Sequence, residues 1–91
     1  MARPGSADEQ NTRHRLLYVR ERLPEVRSEV TKVKNERHDV LLEIKRAADD
    51  AVRLKWNRRK IYLVHRAEAL KQEYEALQTE RKAVEAKLRG G

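Results

Sequence analysis

Apolar residues recur at alternating steps of three and four through Leu16, Val19, Leu23, Val26, Val30, Val33, Arg37, Val40, Ile44, Ala47, Ala51 and Leu54, with Arg37 the one polar member. Positions spaced this way share one helix face and form the seam through which helices pair. A second stripe of the same spacing, Leu63, Ala67, Leu70, Tyr74, Leu77, Arg81, Val84 and Leu88, is out of phase with the first. The offset matches neither a three- nor a four-residue insertion into one continuous seam, so the pattern predicts a chain that turns back on itself. The expected fold class is all-α: an antiparallel helical hairpin, or coiled coil, with a short N-terminal helical extension.

The position of the turn is less constrained. A fold centred on Asn57 sets Val30 against Val84, Val40 against Tyr74, Ile44 against Leu70, Ala47 against Ala67 and Ala51 against Leu63. Asparagine tolerates the left-handed conformation of a tight turn, and no Gly or Pro competes with it in this stretch. The turn is therefore expected near residues 55–59. Registers displaced by one heptad satisfy the same stripes, one of them bending near Arg53 and Leu54. The structural alternative is a continuous bent helix within a dimer.

Upstream, residues 1–5 read as a flexible tail. Ser6 and Glu9 have the spacing of a capping box that opens a helical segment over residues 6–23. Pro24 then either kinks that helix, because it lacks the amide that would bond the Arg20 carbonyl, or stands as the first residue of the main helix. Residues 24–89 are expected to form the hairpin.

Composition agrees with long helices. Of the 91 residues 41% are charged, Gly and Pro total five, and there is no Phe and no Cys. A chain this short buries little apolar surface, and with no disulfide or thiolate site to brace it, self-association is the natural remedy. The longest apolar runs, Leu16 to Val19 and Ile61 to Val64, fall far short of the ~20 residues of a membrane span. Residues 1–10 lack the apolar core of a signal peptide. An intracellular, soluble protein is expected.

Charge changes the picture at one place. The net charge is +7, and residues 48–66 hold six basic and two acidic residues. Arg53, Lys55, Arg58, Arg59 and Lys60 surround Trp56, with Tyr62 and Arg66 just beyond. Several cations together neutralise phosphates, and an aromatic beside them can stack on an unpaired base. This cluster is a candidate contact for DNA or RNA at the hairpin tip; the competing reading is a solvated helix end or a protein-binding surface. The seam arginines, Arg37 and Arg81, are expected to lay their aliphatic stems along the stripe with their guanidinium groups in water.

Nothing points to catalysis, a cofactor or a metal. His14, His38 and His65 lie too far apart in sequence for a helical ligand pair, and there is no cysteine nucleophile or glycine-rich phosphate loop. Adjacent Asp49 and Asp50 diverge by about 100° on a helix, which does not make a paired acid and base. The terminal Leu88-Arg89-Gly90-Gly91 resembles the tail of ubiquitin-like modifiers over four residues, but glycine after a basic last turn is also how an ordinary helix stops.

The stretch Val64-His65-Arg66-Ala67-Glu68-Ala69-Leu70 through Tyr74 and Leu77, following a basic first helix and an interruption, resembles small two-helix coiled-coil proteins of actinobacterial phages. The resemblance is one of pattern over residues 24–89 and implies no functional residue. The function expected is that of a noncatalytic, self-associating coiled-coil assembly or adaptor protein, or alternatively of a nonspecific nucleic-acid-binding helper. The seam residues Leu16, Val19, Leu23, Val26, Val30, Val33, Val40, Ile44, Leu54, Leu63, Leu70, Tyr74, Leu77, Val84 and Leu88 would bury one another across the hairpin and meet a second copy or another helical protein.

Overall fold

The computed structural model describes residues 7–90, and the capping-box residue Ser6 lies outside them. Two helices fill this span: α1, Ala7–Arg46, and α2, Asp50–Leu88. They run antiparallel side by side as a rod with extents of 69 × 15 × 15 Å. The hairpin read from the phase break is the observed fold.

The turn is not near residues 55–59. It is the three-residue link Ala47, Ala48 and Asp49, and Asn57 lies within α2. Asp49 adopts an extended conformation (φ −104°, ψ 133°), and its side chain accepts the Ala51 amide at 2.8 Å, so it caps α2. Aspartate is among the strongest residues at this position because its carboxylate satisfies an amide the helix leaves free. On the other side of the turn the Arg53 guanidinium donates to the Ala47 carbonyl and to Asp50, each at 3.0 Å. A side-chain donor thus serves a carbonyl that the end of α1 leaves without a helical partner. No left-handed residue is needed, and none occurs before Gly90 among the described residues. Gly90, at φ +98°, ends α2 in the manner of an ordinary helix stop.

Pro24 lies inside α1, which continues unbroken through it. Residues 6–23 were expected to form a segment apart from the hairpin; residues 7–23 are instead its first arm, with Leu16 and Val19 buried. Pro24 is exposed, so the Arg20 carbonyl that loses its amide is on the face where water can serve it. Buried Leu23 and Val26 on either side hold the helix in place.

The core is one row of side chains between the helices. Val19, Leu23 and Val26 of α1 pack with Leu70 and Leu77 of α2, and Val33 and Tyr74 close over them. Leu70, expected opposite Ile44, therefore lies with Val26. Leu16, Val40 and Leu63 are also buried, while Ile44, Val84 and Leu88 are half-buried. Two expected seam residues are not in the core: Val30 is 36% exposed and Leu54 is 53% exposed. Leu54 follows the phase of α1, and that phase ends at the turn. From Leu63 onward α2 follows its own stripe.

Candidate interaction surface

The two edges of the seam differ in chemistry. Along one edge Arg15, Arg22, Glu29 and Glu36 of α1 pair in order with Glu80, Glu73, Arg66 and Arg59 of α2. Each step is seven residues up one helix and seven down the other, which keeps every pair on the same side of the rod. Arg22 anchors this ladder. It donates twice to Glu73 at 2.9 Å and reaches Glu25 and Glu29 at 3.2 Å. These hydrogen bonds, that of Glu73 first, raise the Arg22 pKa, and the bond from Arg22 in turn lowers that of Glu73. Glu80 and Glu36 raise Arg15 and Arg59 in the same way.

The opposite edge lacks such a ladder. Arg20 meets Glu85 at 3.4 Å near the end remote from the turn. Toward the turn, the matching positions of α1 are Arg27, Lys34 and Leu41, and those of α2 are Lys71, Val64 and Asn57. Among the described residues, Arg27, Lys34 and Lys71 take part in no ion pair. The Arg27 guanidinium donates to the Tyr74 hydroxyl at 2.7 and 3.0 Å and lies 5.5 Å from the centre of its ring. Gln78 donates to the same hydroxyl at 2.9 Å. Tyr74 fixes Arg27 in place without neutralising it.

Between these cations lies an open groove of about 590 Å³ lined by Arg27, Val30, Thr31, Ala67, Lys71 and Tyr74. Exposed Leu41 and Val64 follow Lys34 and Lys71 in the same heptad columns toward the turn. Ile61, also exposed, stands one turn from Val64 on α2. Most of the exposed large hydrophobic residues fall between Leu41 and Val64, on the turn-proximal half of the rod.

The basic cluster expected at a hairpin tip lies along the first turns of α2, beyond the true tip at Ala47–Asp49. Arg53 braces the turn, Arg59 pairs with Glu36 at 2.5 Å and also sits 4.8 Å from the Tyr62 ring, and Arg66 pairs with Glu29 at 2.9 Å. Trp56 is half-buried and shares a groove with Val40, Glu36, Glu43 and Arg46 of α1. Lys55, Arg58 and Lys60 form no ion pair among the described residues. Arg37 is exposed, as expected of a seam arginine. Arg81 departs from that expectation: it is half-buried, its Nε is shielded from water without a hydrogen-bond partner, and Glu85 stands 4.0 Å away.

His14, His38 and His65 are each exposed on a helix. Among the described residues no three His, Cys, Asp or Glu side chains are grouped to hold a metal ion, and no helix is long and apolar enough to cross a membrane. Sequence reasoning overlooked the ladder and the groove. Both have a signal in the heptad-spaced positions flanking the seam, where opposite charges face one another across the helices on one side and cations stand with aliphatic residues on the other. The chain is matched by no family model, by no curated protein and by no solved structure.

Proposed function

We propose that the chain is a noncatalytic coiled-coil adaptor or assembly protein, a helical rod that offers one long flank to another helical protein or to a second copy of itself. The observation that carries this reading is the asymmetry of the seam. The hairpin satisfies most of its main stripe internally and locks one edge with ion pairs, yet leaves Val30 of that stripe, with Leu41 and Val64, exposed along the other. Aliphatic side chains arrayed along two neighbouring helices are the receiving half of a helix-in-groove contact. Nucleic-acid binding has narrower support. Arg53, Arg59 and Arg66 are already engaged by acidic or carbonyl partners, and Trp56 packs against α1, leaving Lys55, Arg58 and Lys60 as its main cations.

Site-specific photo-crosslinking tests the proposal. A benzophenone side chain in place of Val64, introduced in cells of the natural source, should yield a defined protein adduct, while the same group in place of Glu75 on the solvent face should not. An adduct with twice the chain mass identifies assembly, and any other discrete protein identifies an adaptor. Equal labelling at both positions, or adducts with nucleic acid alone, would refute it.

A further inference from the structure

The groove between Arg27, Val30, Ala67, Lys71 and Tyr74 has a chemistry that selects its occupant, and we infer that it receives an acidic amphipathic helix of a partner protein, completing a three-helix bundle. The inference rests on the adaptor reading and adds the charge and shape of the partner. Three observations carry it.

First, the floor of the groove is apolar. Val30 and Ala67 stand side by side in the groove, and Leu41 and Val64 carry the same edge on toward the turn. A helix that lays a stripe of Leu or Ile there removes aliphatic surface from water on both sides. A phosphate backbone would leave that floor unsatisfied.

Second, the rims are cationic and unmatched. Arg27 and Lys34 stand one heptad apart on α1, with Lys71 across the groove on α2, and none of the three meets a carboxylate among the described residues. Residues one heptad apart on a helix are about 10.5 Å apart along its axis, the spacing at which carboxylates recur on one flank of a partner helix. Every rung of the opposite edge shows this chain pairing opposite charges at that same spacing.

Third, the cations argue against a second copy on this face. A two-fold contact sets a patch against itself, so Arg27, Lys34 and Lys71 of one rod would meet the same cations of the other. Like charges facing one another oppose such pairing and disfavour wrong partners. An acidic helix converts each of those repulsions into an attraction.

The full-length chain can be tested with a fluorescein-labelled helical peptide about four heptads long, carrying Leu and Ile along one stripe and Glu on both flanking columns. Controls are the same peptide with Lys for Glu, a scrambled peptide of identical composition, and a DNA duplex. Fluorescence anisotropy should show binding of the acidic amphipathic peptide alone, weakening as salt is raised. The double variant Lys34→Glu, Lys71→Glu alters exposed residues outside the ladder, and its helicity should match that of the unaltered chain. It should lose about tenfold or more in affinity for the acidic peptide and gain affinity for the Lys peptide.

Equal binding of the scrambled peptide, or an affinity indifferent to the double variant, overturns the inference. So does preference for the DNA duplex over the acidic peptide, or light scattering showing a dimer that the double variant abolishes. Failure of the peptide with a protein adduct still formed at position 64 would remove the acidic-helix assignment and leave the adaptor reading standing. Peptide binding without any such adduct would remove the adaptor reading instead.

Discussion

Replacing Leu70 by Ala gives the sharpest test of the observed register, because its consequence differs from that of Leu54→Ala. Leu70 is fully buried among Val19, Leu23, Val26 and Leu77. Truncation removes about three carbons, worth ~2.4 kcal/mol at about 0.8 kcal/mol per methylene. The cavity adds to this, but a core one row deep lies close to water and can collapse, which places the total near 3 kcal/mol, low in the range for such substitutions. A domain of this size is stabilised by about 5–10 kcal/mol, so the loss is a large fraction of the whole. Urea unfolding followed by circular dichroism at 222 nm, with a slope of about 1 kcal/mol per molar, should show the midpoint falling by ~3 M. The melting temperature should fall by about 12–24 °C. Leu54, 53% exposed, should change stability by less than about 0.5 kcal/mol when shortened to Ala. Equal destabilisation by the two variants would refute the register and favour a turn near Asn57. A midpoint that rises with chain concentration would show instead that Leu70 is buried between molecules.

Three further outcomes follow from the same geometry. Asp49→Ala removes the cap on Ala51 and should destabilise the hairpin by about 1 kcal/mol, whereas Asn57→Ala, within the helix, should be neutral or slightly stabilising in the same urea titration. Arg22→Glu sets a fourth carboxylate among Glu25, Glu29 and Glu73 and should lower the unfolding midpoint; adding Glu73→Arg should recover part of the loss, and no recovery would show that the pair does not couple. The bond from Arg22 holds the folded Glu73 pKa below its ordinary 4.5, so the stabilisation is present above pH 4.5 and is lost as pH falls through the lowered folded value. Glu73→Gln should therefore flatten the acid limb of a midpoint-versus-pH curve, and parallel acid limbs would refute that assignment.

The helices and their antiparallel order were legible in the sequence because they rest on a three-four spacing repeated over many turns. Leu23, Val26, Val40, Leu63, Leu70 and Leu77 were read as hairpin seam and are buried, whereas Leu16 and Val19, expected to outrun the second helix and await a partner, are buried within the hairpin too. The turn was not legible, for two physical reasons. Ala47 and Ala48 favour helix and carry no breaking signal, so the working signal is the cap at Asp49, which sequence reasoning weighed only as a catalytic acid. An apolar seam is also nearly indifferent to displacement by a heptad, so several registers fit the stripes equally well. The charges beside the seam break that tie, through their order in heptad columns rather than through the net charge of each segment. For the same reason Arg59 and Arg66 read as phosphate contacts although their carboxylate partners stand in α1.

The order of charges in the ladder bears on slippage between the helices. Along α1 the sequence is Arg15, Arg22, Glu29, Glu36, and the sign reverses once, between the second rung and the third. A ladder of uniform sign would slide by a heptad and lose only its end rung. Here a slide in one direction brings Glu29 against Glu73, and a slide in the other brings Arg22 against Arg66. The single reversal thus works as a positional key: it adds little attraction of its own, but it makes each neighbouring register repulsive at the middle of the rod, where fraying cannot relieve it.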